Sequence, residues 1–430
     1  MKRNKTCLTI VATVLLLICQ AGLTAGPAPG LDHLPLVLVH GFLASGDSYE
    51  KQVLRFRQAG FQAERIHLFD WNSLSRAGSL EALGEFIDAV LQKNGAEKIL
   101  LAGHSAGAGL CYEYLKQPEN AAKVSRYAHL AGRPMPGPAG PDGRVPTLNV
   151  YSKADSIVRG ADIPGAGNLV YDHLDHYQVA TSEATFAALV EFFEQGRPEI
   201  KAFSPDPAGM VSISGRALTL GENRPCTGAL VELYQLDPAS GFRLRDQADA
   251  GFTVDEQGAW GPLPTVRAQP VELVLSVPGQ RPVHYYRRGF ETDNYWVYLR
   301  ALPPASSLAG MLLAALPADD RQTVVGIFSA GRAVIHGRDR LEFNGIELSS
   351  AELAPAAAAN IAWFLYDADG NGRSDGNAIP LFSMAPFLTG VDMFIEAGEK
   401  RSLAASLNGA SIRFPNWKSA SEGLVMLVFD

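Results

Sequence analysis

The sequence has few charged residues, and positive charge is the scarcer sign. Charged residues make up 19% of the 430 positions, below the roughly 25% of ordinary globular domains. Proteins bind nucleic acids largely through Lys and Arg that neutralise phosphates, so a net charge of -8 argues against a nucleic-acid partner. The hydrophobic share of 47% excludes a disordered chain. At this length we expect two or three compact domains.

Long hydrophobic runs are also scarce. The most apolar stretch, residues 8–18, is shorter than the ~20 residues that a membrane helix needs. It follows Lys2, Arg3 and Lys5 and precedes small residues at 21–25, the order typical of a cleaved export signal. We therefore expect a signal peptide over 1–25 and a secreted or periplasmic protein. Once the signal is removed, we expect no transmembrane segment and, with three positive charges gone, a net charge of -11.

Cysteine is rare as well. Of four cysteines, Cys7 and Cys19 leave with the predicted signal. Cys111 and Cys226 fall in different predicted domains, so a disulfide between them is not favoured.

The remaining chain changes character near residue 200. From 31 to 197, apolar strands alternate with amphipathic helices, which predicts a parallel sheet with helices on both faces. Three prolines at 198–207 predict a linker. Beyond it, short alternating runs predict two antiparallel β-rich domains. The predicted strands of the first domain are 34–39, 99–102, 127–130, 147–151 and 168–170, and its predicted helices are 79–92, 108–116 and 182–193.

The two β-rich domains are placed at 208–285 and 286–430. The first, with the alternating run at 228–234 and the turn at 254–259, resembles a transthyretin-like or carboxypeptidase-regulatory-like sandwich. Within the second, the apolar stretch 308–316 lies between prolines and suits a strand, a core helix or a flap over a binding site.

A nucleophile elbow lies in the first domain. Residues 103–107, Gly-His-Ser-Ala-Gly, match the G-x-S-x-G pattern, in which the glycines permit a tight turn from strand to helix around Ser105. The pattern alone is weak. Its context is specific, because a predicted strand enters the turn and a predicted helix leaves it.

A serine at an elbow needs a base, and the base needs a carboxylate that orients it. In hydrolases that carry such an elbow, the order of these residues along the chain is Ser, then Asp or Glu, then His. Asp155 follows the strand 147–151 and is the favoured acid, with Asp162 as the alternative. His176 stands before the last helix and is the favoured base, with His173 as the alternative.

The reaction also needs backbone donors for an oxyanion. The first strong strand ends at His40-Gly41-Phe42. In this arrangement the residue after the glycine supplies one N–H group and the residue after the nucleophile supplies the other. We therefore predict the N–H groups of Phe42 and Ala106 as the oxyanion hole.

Together these motifs resemble a compact bacterial or archaeal α/β-hydrolase lipase with C-terminal β-domains. The resemblance implies a secreted serine carboxylester hydrolase that cleaves triacylglycerols or medium- and long-chain esters through Ser105, His176 and Asp155. Such an enzyme requires no cofactor for catalysis, and its expected partner is a lipid or ester at an interface. Leu43, Phe69, Trp71 and Leu74, near the expected cleft, are candidate acyl-binding residues.

One further motif concerns a metal. Asp367, Asp369, Asn371 and Asp375 place oxygen side chains at alternate positions, as calcium loops do. The glutamate expected at loop position twelve is replaced by Ala378, and a turn rich in Asp, Asn and Gly explains the pattern equally well.

Two alternative functions fit the same sequence. The first is a polyester (polyhydroxyalkanoate) depolymerase whose β-domains hold the solid. The second is a surface-binding protein with a degenerate hydrolase domain, against which the complete order of Ser, Asp and His argues.

Overall fold

The computed structural model describes residues 34–194, 208–384 and 386–430. The predicted signal peptide at 1–25 and the predicted linker at 198–207 lie outside these ranges. Within the described residues, helices long and apolar enough to cross a membrane are absent.

The N-terminal domain contains a six-stranded sheet in which every strand pair is parallel, in the order β2-β1-β3-β4-β5-β6. This confirms the predicted α/β class. The strands are β1 Leu36–Val39, β2 Ile66–Phe69, β3 Ile99–His104, β4 Val124–Leu130, β5 Thr147–Ser152 and β6 Gly167–Tyr171. The helices are α1 Glu50–Gln58, α2 Ser79–Asn94, α3 Ala106–Tyr114, α4 Pro118–Ala122, α5 Gln178–Thr181 and α6 Glu183–Glu194.

Hydrophobic cores on both faces of this sheet explain why its strands are almost wholly apolar. Along β1, Leu36 and Leu38 join a core with α1 and α6, whereas Val37 and Val39 join a core with α2 and α3. Cys111, on α3, is buried in the second core, and both Cys111 and Cys226 are free thiols. The sequence prediction missed β2, α1 and the short helices α4 and α5.

The rest of the chain forms three strand-rich sheets, which confirms the predicted β-rich class. The prediction of antiparallel pairing holds only in part, because four of the strand pairs are parallel. Their strand orders are β10-β7-β13, β18-β17-β14-β21-β12-β11-β8-β9 and β16-β15-β19-β20. The strands up to residue 301 are β7 Met210–Thr219, β8 Leu230–Gln235, β9 Ala250–Thr253, β10 Ala259–Val266, β11 Val271–Ser276, β12 Val283–Arg287 and β13 Asn294–Ala301. The later strands are β14 Val325–Ser329, β15 Leu341–Phe343, β16 Ile346–Glu347, β17 Ala362–Tyr366, β18 Leu388–Asp392, β19 Ser402–Leu407, β20 Ala410–Pro415 and β21 Leu424–Phe429.

The eight-stranded sheet runs through both halves of this region. One half packs against the three-stranded sheet and the other against the four-stranded sheet, each with its own core. The last strand, β21, pairs in parallel with β12 and with β14 and so joins the halves. The predicted boundary between 285 and 286 therefore falls inside β12, and β13 belongs with the earlier strands.

The apolar stretch 308–316 contains one helix, α7 Leu308–Leu313, whose first turn is capped by the Ser307 side chain. Of the three conformations that the sequence allowed, the structure has a short helix.

Ion pairs with buried carboxylates join the N-terminal domain to the strands that follow it. Arg287 donates to both Glu50 carboxylate oxygens at 2.9 and 3.0 Å, and both side chains are buried. Arg216 and Arg300 make similar pairs with Asp70 and Asp47. Such pairs lose much of their stabilising energy to desolvation, but breaking one leaves a buried charge.

Candidate active site

Ser105 lies at the sharp turn between β3 and α3. Its φ of 54° and ψ of -118° are strained for a residue with a side chain. The flanking glycines are required by close contacts. A Cβ on Gly103 would lie 2.7 Å from the Gly107 carbonyl oxygen, and a Cβ on Gly107 would overlap the His40 carbonyl oxygen. The local structure is therefore that of a nucleophile elbow.

The structure brings Asp155 and His176 together at the carboxyl end of the sheet. Asp155 follows β5 and His176 follows β6, and His176 Nδ1 lies 2.7 Å from Asp155 Oδ2, with both side chains buried. The other carboxylate oxygen accepts the N–H groups of Ile157 at 2.8 Å and Val158 at 3.0 Å. The carboxylate is thus fixed on both sides.

This setting also holds Asp155 in its charged form. Burial acts to raise its pKa, but the hydrogen bond and charge of His176 and the two backbone N–H groups outweigh burial and leave the pKa below its usual value. The alternatives Asp162 and His173 are exposed, and Asp162 instead accepts the hydroxyl of Tyr151 at 2.9 Å.

The second nitrogen of His176 is available for chemistry. Because a carboxylate accepts at Nδ1, the proton lies there and Nε2 carries the lone pair. His176 Nε2 is buried and has no hydrogen-bond partner among the described residues. A buried base with a free lone pair, in a loop that is bonded to the elbow through His104, is suited to accept a proton from a nucleophile.

His104, the residue before the nucleophile, is a contact that the sequence analysis did not anticipate. Its Nε2 donates to the His176 carbonyl oxygen at 3.0 Å, and the two rings lie 4.8 Å apart. Burial and the neighbouring His176 lower the pKa of His104 to about 3, so it stays neutral. His104 therefore anchors the backbone of the His176 loop.

Each of the two residues predicted as oxyanion donors directly follows a residue at or against the elbow, because Phe42 follows Gly41 and Ala106 follows Ser105 in the sequence. Gly41 packs directly on the elbow, because a Cβ there would lie 3.1 Å from Ser105 Cβ. This contact brings the following peptide, with the Phe42 N–H group, beside the serine. Ala106 is the first residue of α3, where helix N–H groups lack partners within the helix.

Phe69 and Trp71 have a different place from the one predicted. Both are buried in the core beneath α2, and neither lines the apolar cavity to which Phe42 and Leu43 contribute. Trp71 stacks on His40, its N–H group donates to His40 Nε2 at 3.1 Å, and its indole donates to the His40 carbonyl oxygen at 3.0 Å. Trp71 thus supports the turn that carries Phe42.

Leu43 and Leu74, the other two acyl-binding candidates, differ. Leu43 lines the cavity, whereas Leu74 lies outside its lining and near Gly221 of the β-rich region.

The cavity is largely apolar, and the predicted oxyanion residue Phe42 is one of its lining residues. Its volume is about 110 Å³. Most of its wall comes from the β-rich region. The apolar lining there includes Leu220, Leu302, Leu313, Leu316, Phe328, Ala362, Phe364, Phe387, Leu388 and Met426.

Phe387 links this cavity to His176. Its ring stacks on the His176 imidazole with centroids 5.8 Å apart and planes 13° apart. Its backbone has a φ of 72°, the left-handed region that bulky side chains avoid. Its N–H group donates to the Ala358 carbonyl oxygen at 3.2 Å, and its own carbonyl accepts from Ile361 at 2.8 Å.

The loops that carry Asp155 and His176 are both tied to the last part of the chain. Ser156 donates to the Ala356 carbonyl oxygen at 2.7 Å. Asp175, next to His176, pairs with Arg338 at 2.9 Å and accepts the Ala333 N–H group at 3.3 Å. Burial raises the pKa of Asp175, and Arg338 acts against that rise.

The candidate calcium loop is well ordered by its own hydrogen bonds. Asp367 accepts backbone N–H groups from Gly370 at 2.9 Å and Gly372 at 2.9 Å. Carboxylate oxygens of Asp367, Asp369 and Asp392 lie within 4.8 Å of one another. Asp392, distant in sequence, was not predicted, and this group does not include Asn371 or Asp375, which instead bond to each other at 3.3 Å.

Three family models match consecutive parts of the chain. The alpha/beta hydrolase fold model matches residues 35–182, and the Lipase C-terminal domain model matches residues 209–304. A further C-terminal domain model matches residues 331–430. The second match ends just after β13, which agrees with the observed sheets better than a boundary at 285.

Solved structures of hydrolases are similar over about two fifths of the chain. A predicted CIB-like hydrolase from Thermoplasma acidophilum is 18% identical, with 37% of this chain and 86% of that chain covered and a TM-score of 0.30. Lipase B from Aspergillus fumigatus is 16% identical, with 40% and 56% covered and a TM-score of 0.30. Lipase BlEst2 from Bacillus licheniformis is 15% identical, with 39% and 94% covered and a TM-score of 0.30.

The chain is an α/β-hydrolase of the lipase and esterase type, in which strand-rich C-terminal domains follow the hydrolase fold.

Proposed function

We propose that this ester hydrolase is an exported lipase that cleaves medium- and long-chain acyl esters, including triacylglycerols, with Ser105, His176 and Asp155 as its catalytic residues. The observation that carries the proposal is the buried pair of His176 and Asp155. His176 keeps a free Nε2, and its backbone is bonded to the elbow through His104.

The reaction would proceed in two steps. His176 Nε2 takes the hydroxyl proton of Ser105 as Oγ bonds to the ester carbonyl carbon, and the oxyanion accepts the N–H groups of Phe42 and Ala106. The intermediate collapses when the alcohol leaves with the proton from His176. Water, deprotonated by His176, then attacks the acyl-enzyme, and Ser105 leaves with the proton as the carboxylic acid forms.

The cavity supports a long acyl chain as the substrate group. It is largely apolar, Phe42 is one of its lining residues, and Phe387 of its wall stacks on His176. An acyl carbonyl held between Ser105 and the oxyanion donors would direct its chain into this space. Burial of each additional methylene then contributes about 0.8 kcal/mol.

The test is the rate of hydrolysis of p-nitrophenyl esters from acetyl to palmitoyl, by the wild-type protein and by Ser105→Ala. We expect rates that rise with chain length and a loss of at least about 10⁴-fold in the variant. Turnover by Ser105→Ala at the wild-type rate, or a sharp preference for acetyl esters, would contradict the proposal. Export is tested separately, by the N-terminal sequence of protein recovered outside the cytoplasm, which we expect to begin near residue 26.

A further inference from the structure

A tight turn between β7 and β8 inserts one side chain into the hydrolase domain. Asn223, in this turn, is 7% exposed although it lies outside any strand. Its φ of 57° is in the left-handed region, which asparagine tolerates better than most residues. The backbone of the turn thus directs the asparagine amide away from its own sheet.

Among the described residues, the side-chain hydrogen-bond partners of Asn223 all lie in the hydrolase domain. Its amide nitrogen donates to the carbonyl oxygens of Ala44 and Trp71, each at 2.9 Å. Its amide oxygen accepts the hydroxyl of Ser45. The same nitrogen lies 3.3 Å from His40 Nε2.

The protonation of His40 agrees with this orientation of the amide. His40 Nδ1 lies 2.8 Å from the Gly41 carbonyl oxygen, which only accepts, so Nδ1 carries the proton and Nε2 accepts. The Trp71 N–H group and the Asn223 amide both face that acceptor. Burial lowers the pKa of His40, which keeps the ring neutral.

These contacts enclose the segment from His40 to Ser45, which we call the oxyanion loop. The loop touches the elbow at two places, through Gly41 against Ser105 and through the His40 carbonyl oxygen against Gly107. Its position therefore determines where the Phe42 N–H group stands relative to the nucleophile. A displacement of about 1 Å at such a donor is enough to cost about 10²-fold in rate.

We propose that Asn223 is a positioning residue for the reaction: it belongs to the region that matches the lipase C-terminal domain, and it holds the oxyanion loop in place against Ser105. This inference rests on the proposed ester hydrolysis and on Phe42 as an oxyanion donor. It gives the strand-rich region a part in the chemical step, separate from any part in binding the acyl chain.

The test uses two substitutions in the full-length protein. Asn223→Gly removes the amide and tolerates the left-handed backbone. Asn223→Asp keeps an acceptor for Ser45 but replaces both donors with an oxygen that faces two carbonyl oxygens. With p-nitrophenyl butyrate, we expect kcat to fall about 10- to 100-fold in each variant and KM to change less than about 3-fold.

Two further measurements separate positioning from a general loss of structure. Inactivation by a p-nitrophenyl alkylphosphonate, whose phosphoryl oxygen also needs the oxyanion donors, should slow in parallel with kcat. The pH profile of kcat/KM should keep its shape, because Asp155 and His176 remain paired.

Asn416→Ala is the matched control. Asn416 is also a buried asparagine with three side-chain hydrogen bonds, all of them within the last domain. It should lose stability and retain kcat at temperatures where it stays folded. The inference would be overturned if the Asn223 variants kept the wild-type kcat. It would also be overturned if Asn416→Ala, compared at the same folded fraction, lost as much kcat as the Asn223 variants. Absence of ester hydrolysis in the wild-type protein would instead refute the proposed function.

Discussion

The cavity wall offers a direct way to change chain-length preference without touching the catalytic residues. Ala362 on β17 pairs with Phe328 on β14 and with Leu388 on β18. Directly paired residues share a face of the sheet, and all three line the cavity and are only half-buried. A larger side chain at 362 would therefore project into the cavity between its two neighbours.

Ala362→Phe should shorten the space for the acyl chain. A benzyl side chain displaces about three to four methylenes of substrate, each worth about 0.8 kcal/mol when buried. The loss for a long ester is then about 2.4 to 3.2 kcal/mol, or about 60- to 200-fold in kcat/KM. A butyryl ester buries fewer methylenes in the cavity and should lose less, below about 3-fold.

The assay is kcat/KM for p-nitrophenyl butyrate, octanoate and dodecanoate. Ala357→Phe is the control, because Ala357 is exposed and lies outside the cavity lining. The chain-length preference of this variant should match that of the wild-type protein. Equal losses for butyrate and dodecanoate in Ala362→Phe, or an unchanged preference, would refute the acyl cavity.

Three other predictions concern the acid, the loop of the base and the candidate metal. Asp155→Asn should reduce kcat about 10³- to 10⁴-fold with little change in KM. The pKa of Asp155 is lowered in the folded protein, so the stability that its charge contributes is present above about pH 4 and is lost as the pH falls further. In urea unfolding, the wild-type protein and Asp155→Asn should therefore differ less in stability at pH 3 than at pH 7. Arg338→Gln removes the ion pair with Asp175 and a second one with Asp339; because Arg338 is partly exposed, the loss should be about 1 to 2 kcal/mol of unfolding free energy, between the values for exposed and buried pairs. Burial already raises the pKa of Asp175, so the loss of unfolding free energy should be larger at pH 8, where Asp175 is charged, than at pH 4. The control is Arg332→Gln, whose partner Asp339 lies in the same domain. An equal loss of unfolding free energy in this control would contradict the prediction. If calcium binds near Asp367, Asp369 and Asp392, millimolar calcium should raise the unfolding temperature by a few degrees over chelator, and Asp369→Asn should abolish the difference; identical melting curves would exclude calcium there.

Much of the hydrolase domain could be predicted because its signals are local. Buried parallel strands are short apolar runs, and their carboxyl ends meet at one edge, so Asp155 and His176 could be placed together from their positions after β5 and β6. The prediction that they act with Ser105 rests on the order of the three residues along the chain. These inferences did not depend on contacts between distant segments.

The remaining features depend on contacts that no local pattern contains. Asn223, Arg338 and Phe387 reach the site from strands and turns more than 100 residues after Ser105. The boundary predicted between 285 and 286 falls inside β12, a strand that pairs with β21 at the far end of the chain. Phe69 and Trp71 were assigned to the cleft because sequence indicates that a residue is apolar but not which core it enters.

The central claim is that Ser105 forms the acyl-enzyme, and covalent labelling tests it most directly. The wild-type protein, treated with a long-chain p-nitrophenyl alkylphosphonate, should lose esterase activity as one phosphonyl group is added per chain. Mass spectrometry of the digested protein should locate that group on the peptide that contains Ser105, and Ser105→Ala should remain unlabelled. Full inactivation with the label on another residue, or full activity in a protein labelled at Ser105, would contradict the account.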